Sequence, residues 1–144
     1  MSKLRMVYAT KTGHSKKLAQ AAGKALNIPA EKVSEHLLPQ EADLLFLVGG
    51  IYGGESLPEM LAFVKGLDKE KIKKVVLITS CASKKQGQNT VRRLLEEKGI
   101  PVADEIICQG SFLFMKIGHP NKGDIREAVD FAVSQAEKTD HHNL

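Results

Sequence analysis

Three short stretches carry residue types that could do chemistry. The first is Thr10-Lys11-Thr12-Gly13-His14-Ser15, followed by Lys16 and Lys17. An apolar run precedes it and a helical pattern follows. Three hydroxyls, a glycine and a series of backbone amides therefore converge on a helix N-terminus, where the amides and the helix dipole favour an anion. Such a turn is a phosphate cradle, in which Gly13 lets the chain turn where a side chain would block a ligand. An ordinary capped turn is the competing reading. The spacing matches neither Gly-x-x-x-x-Gly-Lys-Ser/Thr nor Gly-x-Gly-x-x-Gly. The second stretch, Val48-Gly49-Gly50-Ile51-Tyr52-Gly53-Gly54, sets four glycines around one aromatic. That suits a loop passing close to a flat ligand held by stacking and backbone hydrogen bonds. Tyr52 reads equally as a tyrosine in a surface turn. The third stretch is Thr79-Ser80-Cys81-Ala82-Ser83-Lys84-Lys85-Gln86-Gly87-Gln88. Lysines beside Cys81 would lower its thiol pKa, although a free cysteine is more often a small buried residue. A Cys-x-x-x-x-x-Arg phosphatase loop is excluded, because Gly87 stands where the arginine belongs.

Each stretch ends an apolar run. Met6 to Ala9, Leu44 to Val48 and Val75 to Ile78 are apolar at every residue, as strands buried on both faces of a parallel sheet are. The last two runs are expected to stop at Gly49-Gly50 and at Thr79-Ser80. Ile106 to Cys108 is a weaker run ending at Gly110, and Val33 marks a short edge strand. Helical patterns lie between the runs. Leu18, Ala19, Ala22, Ala25 and Leu26 share one face before Pro29. Ser56 with Glu59 reads as a capping box, with Pro58 at the first helical position. Asn89 is a candidate cap for a helix holding Val91, Leu94 and Leu95 and ending at Gly99. Ile125, Ala128, Val129, Ala132, Val133 and Ala136 keep the rhythm of one buried face, with Asn121 and Asp124 at the start. The order β-α-β-β-α-β-α-β-α predicts an open parallel α/β sheet with helices on both faces. Ligands of such sheets sit at the carboxyl ends of the strands, where all three stretches fall.

The run from Val7 to Ala19, with Thr10-Lys11-Thr12-Gly13-His14-Ser15 at its centre, resembles the signature of the flavodoxin family. The resemblance spans roughly residues 3–138, and Gly118-His119-Pro120-Asn121 adds to it. It implies a single flavodoxin-like domain over 1–144: a three-layer sandwich around a five-stranded parallel sheet of order 2-1-3-4-5, ending in a polar tail at 139–144. It implies flavin mononucleotide (FMN) as cofactor, its phosphate held by Thr10, Lys11, Thr12, Gly13, His14 and Ser15. Gly50, Ile51, Tyr52 and Gly53 would meet the flavin ring, with Ser80, Cys81, Ala82 and Gly87 at its pyrimidine end. His14 stands where many relatives carry Asn. The chain has no Trp, and its third stretch has lysines where many members place Tyr and Asp.

Composition narrows the function classes. The chain has 144 residues, 42% hydrophobic and 26% charged, as a globular domain does. Its longest apolar runs are far short of the roughly twenty residues of a membrane helix. Leu4 to Ala9 is too short for a secretory leader and contains Arg5. Two cysteines make no disulfide scaffold, so the cytoplasm with reduced thiols is the expected compartment. The five histidines show no metal-ligand spacing. Aromatics are 5% and not interleaved with basic residues, against a nucleic-acid stacking platform. The net charge is +4, and Lys11, Lys84, Lys85 and Lys116 fall on the ligand rim, which implies an acidic docking partner. The resulting expectation is an FMN-binding electron carrier between a reductase and an acceptor protein. Two other classes compete with it: a small FMN-dependent NAD(P)H or quinone reductase, and a binding module that keeps the fold without the flavin.

Overall fold

The computed structural model describes residues 2–37, 40–109 and 122–142. The elements in chain order are β1 (Leu4–Tyr8), α1 (His14–Leu26), β2 (Ala30–Lys32), β3 (Leu44–Tyr52), β4 (Glu55–Ser56), α2 (Pro58–Lys65), β5 (Val75–Cys81), α3 (Asn89–Glu97), β6 (Val102–Gln109) and α4 (Lys122–His142). The sheet order is β2-β1-β3-β5-β6, all parallel, with β4 antiparallel to β3. Set aside the two-residue β4, and the expected order 2-1-3-4-5 is what forms.

The continuous apolar runs have the expected cause. β3 and β5 lie in mid-sheet, and both faces of each are covered. Residues 44–50 of β3 are buried without a break, as is every residue of β5. On one face Val7, Leu47, Leu77, Met60, Val64 and Leu95 pack under α2 and α3. On the other, Met6, Phe46, Val76, Leu18, Ala128 and Ala132 pack under α1 and α4. Each large apolar side chain buried this way contributes about 1.5–3 kcal/mol, which fixes the sheet as a rigid platform for its loops.

Several ends differ from expectation. β3 runs on through Gly49 and Gly50 to Tyr52, because its neighbours supply ladder partners on the β5 side as far as Ile51. β5 likewise continues to Cys81. Leu57, not Ser56, is the N-cap of α2, because Ser56 is taken into β4; Pro58 is at the helix start as expected. Gln88, not Asn89, is the N-cap of α3. The buried face of α4 continues past Ala136, its expected last residue: Thr139 is buried, and Asp140 accepts the Ser2 amide at 3.1 Å. The helix therefore continues to His142 in place of a frayed tail. Gly110, Lys116 and Gly118-His119-Pro120-Asn121 lie outside the described residues. Among the described residues, no helix is long and apolar enough to cross a membrane.

Candidate functional site

The three chemically distinctive stretches come together because β1, β3 and β5 are consecutive in the sheet. Ala9 donates its amide to Val48 O at 3.0 Å, and Gly50 and Ile51 are paired with Ser80 and Cys81. Thr10 to Ser15, Gly50 to Gly53 and Ser80 to Ala82 thus share one edge of the sheet, at the carboxyl ends of its strands.

The first loop delivers the chain into α1. Gly13 is the N-cap, at φ +90°, and its amide donates to Thr10 Oγ1 at 2.9 Å. Thr12 Oγ1 and His14 Nδ1 are 2.6 Å apart. The first turn of α1 holds no acidic residue but does hold the exposed Lys16 and Lys17. Cations at a helix N-terminus oppose the dipole, and an anion bound there would offset both. Ser15 is 0% exposed, yet its Oγ has no hydrogen-bond partner among the described residues. A buried hydroxyl without a partner costs about 1–3 kcal/mol. An incoming phosphate oxygen would relieve it. Ser56 Oγ and Gln88 Oε1 are buried and unpartnered as well.

The glycines of the second loop have distinct physical causes. Gly53 and Gly54, at φ +59° and +84°, join β3 to β4. Positive φ at both central residues is what a type I′ hairpin turn requires. Gly50 lies beside the ring of Tyr52, two residues on and on the same face. A Cβ at Gly50 would come within 2.6 Å of Tyr52 Oη and 2.8 Å of the ring edge. Gly50 thus leaves room for the protein's own tyrosine. Tyr52 Oη reaches the first loop and accepts the Lys11 amide at 3.2 Å, with Lys11 Nζ 5.9 Å from the ring centre.

The third loop is tied down from several sides. Lys84 donates its amide to Cys81 O at 3.0 Å, and Lys84 itself holds φ +58°. Gln86 Nε2 donates to Gly54 O at 2.7 Å, linking this loop to the hairpin. Gln109 Nε2 donates to Ala82 O. Burial pushes the Cys81 thiol up, but the Ser83 hydroxyl and the amides of Gln86, Ser83 and Lys85 outweigh it. They hold Cys81 below the ordinary thiol value. Cys108 is the opposite case: burial, with Glu127 and Asp124 nearby, pushes its thiol up to about 12.

Gly87 lies over Glu105, whose carboxylate carbon a Cβ would approach to 2.6 Å. Gln86, Gln88 and Glu105 escaped the sequence reading. Polar residues in a polar loop give no signal, and Glu105 contacts the loop from a strand 17 residues further on.

Solved structures share this arrangement along nearly the whole chain. Flavodoxin 2 from Bacillus cereus superposes with a TM-score of 0.71 at 17% identity, covering 94% of this chain and 99% of that one. The fold is that of the flavodoxins. The Streptococcus pneumoniae TIGR4 flavodoxin gives 0.67, also at 17% identity, over 94% and 98%. Rubredoxin oxygen:oxidoreductase of Desulfovibrio gigas gives 0.70 at 12% identity over 96% of this chain, which spans 36% of that larger protein. By sequence, an uncharacterised protein of Methanocaldococcus jannaschii is 25% identical over 134 residues, covering 84% of this chain and 89% of the relative. No family model matches. On the flavodoxin fold, the three loops described here are those at the carboxyl edge of β1, β3 and β5.

Proposed function

We propose that this chain binds FMN at the three loops and carries electrons between a reductase and an acceptor protein. The observation that carries the reading is Ser15. It presents a buried, unpartnered hydroxyl in a helix start that has lysines and no acid. The residues fit a phosphate group: Ser15 and Thr12 offer hydroxyls, the first turn of α1 offers amides, and Lys11, Lys16 and Lys17 offer charge. Structural likeness to flavodoxins supports the same reading at the level of the fold.

FMN, when bound, supplies one- and two-electron redox chemistry. The protein's part is binding, orientation and electrostatics. Loop one anchors the phosphate. Tyr52, which lies beside Gly50 and accepts the Lys11 amide, would supply the aromatic contact to the flavin. Ser80, Cys81 and Ala82 form the neighbouring wall; Ser80 and Cys81 are buried, which keeps water from that side. The exposed Lys11 and Lys85 on the rim, with Lys84 held 3.5 Å from Glu127, favour the more negatively charged form of a bound flavin. No residue need act as an acid or base.

The rim charge sets an expected direction for the potential. The fully reduced couple should be less negative than in acidic flavodoxins, since about 1.4 kcal/mol is tenfold in an equilibrium constant. A redox titration of the FMN-loaded protein tests this, and a potential as low as in acidic flavodoxins contradicts it. NAD(P)H consumption without an added reductase would move the chain to the reductase class.

A further inference from the structure

Beneath the third loop lies a polar cluster that the proposed electron-transfer role does not use. Glu105 projects from the edge strand β6, with its side chain only 10% exposed. Glu105 Oε2 accepts the Thr79 hydroxyl at 2.6 Å and the Gln88 amide at 2.8 Å. Glu105 Oε1 accepts Arg92 Nη2 at 3.0 Å. Gln88 is fully buried, and its Nε2 donates to Leu47 O, Ile78 O and Thr79 Oγ1 at 3.3, 3.3 and 3.1 Å. One carboxylate thus gathers a strand hydroxyl, a loop amide and a helix guanidinium, and Gly87 lies across it with no room for a side chain.

A carboxylate this buried is tolerated only when paired and hydrogen-bonded. Solvation of the charge therefore demands that Gln88 stay in place, and the demand is passed along the loop. Gln86, two residues earlier, holds Gly54 of the hairpin that carries Tyr52. Thr90 adds a second link, donating to Glu55 Oε2 at 2.9 Å.

We propose that Glu105 is a positioning residue for the cofactor site: it fixes residues 82–88 in the shape that receives the flavin ring, without touching the ligand itself. The inference rests on the FMN reading above. Among the described residues Glu105 makes its direct hydrogen bonds to Thr79, Gln88 and Arg92 and none to the first loop, so its influence should fall on the ring and spare the phosphate.

The test compares Glu105→Ala, Glu105→Gln and the unaltered protein in titrations with FMN and, separately, with inorganic phosphate. Amide hydrogen exchange is followed across residues 82–88. Glu105→Ala should weaken FMN at least tenfold, leave phosphate within twofold and speed exchange in the loop while α1 is unchanged. Glu105→Gln, whose carbonyl oxygen still accepts from Thr79 and Gln88, should recover most of the FMN affinity. Gly87→Ala gives a second route, since its Cβ displaces the carboxylate without deleting a polar group, and it should show the same split. FMN affinity within twofold in both Glu105→Ala and Gly87→Ala, or a parallel loss of phosphate affinity, overturns the proposal alone. Failure of the unaltered protein to bind FMN overturns the FMN reading and takes this inference with it.

Discussion

Replacing Ser15 by Ala should move stability and binding in opposite directions. In the ligand-free protein Ser15 is 0% exposed and its hydroxyl has no partner among the described residues. Burying a hydroxyl unsatisfied costs about 1–3 kcal/mol. Alanine removes that group, leaves a gap of one oxygen atom and is the better residue inside a helix. The net expectation is a gain of about 1 kcal/mol, which for a domain of this size raises Tm by about 3 °C. For phosphate the same hydroxyl is a charge-assisted donor, worth about 1.5–3 kcal/mol. Its loss should weaken FMN binding by about 10- to 100-fold. Circular dichroism melts of the ligand-free protein and calorimetric titration with FMN measure the two effects. A melting point lowered by several degrees would mean that the hydroxyl has a structural partner. Unchanged FMN affinity would mean that the first loop is an ordinary capped turn.

Four further outcomes follow from the geometry. Tyr52→Phe frees the Lys11 amide from the phenol oxygen, a bond worth about 1 kcal/mol, so inorganic phosphate should bind about fivefold tighter; unchanged affinity would show that the phenol and the anion do not share that amide. Cys108 keeps its proton in the fold up to about pH 12, whereas an unfolded thiol loses it near pH 8.5–9. Above that pH the unfolded state binds fewer protons, so this residue's contribution to unfolding free energy should fall by up to about 1.4 kcal/mol per pH unit; urea titrations between pH 8 and 10 should show the slope, flattened in Cys108→Ala. Gly54→Val forces a β-branched residue to φ +84° at the hairpin turn and should lower stability by about 1–2 kcal/mol, readable in the same urea titrations. Lys84→Glu with Lys85→Glu should slow association with an acidic redox partner by roughly tenfold at low salt and remove most of its salt dependence, measured by stopped flow.

Much of the sheet was readable because its central strands are buried on both faces, and that burial writes unbroken apolar runs such as Val75 to Ile78. The ends of those strands were not readable. Gly49 and Gly50 look like a stop, yet β5 alongside holds them by ladder hydrogen bonds that need no side chain. Ser56 and Asn89 have the chemistry of helix caps, but tertiary pairing takes Ser56 into β4, and the chain enters α3 one residue before Asn89. The first loop stood out from local spacing because its hydroxyls and its glycine lie within six consecutive residues, Thr10 to Ser15. The support beneath the third loop was hidden for the converse reason: Glu105, Gln88 and Thr79 meet only after β5, α3 and β6 are assembled. Tyr52 was singled out from its place among the glycines of the second loop. What its ring does, folding back over Gly50 and capping the Lys11 amide, is set by a side-chain direction that spacing does not encode.

The central claim is that the three loops hold FMN, and an absorbance and fluorescence titration of the purified protein tests it most directly. The account predicts flavin bands near roughly 370 and 450 nm that remain with the protein after desalting. FMN emission should be quenched to a break at one equivalent, and the break should be abolished or strongly shifted in Ser15→Ala. Free FMN passing through unchanged, with no band retained and no quenching at any ratio, would contradict the claim and leave a flavodoxin fold that serves as a binding module without the flavin.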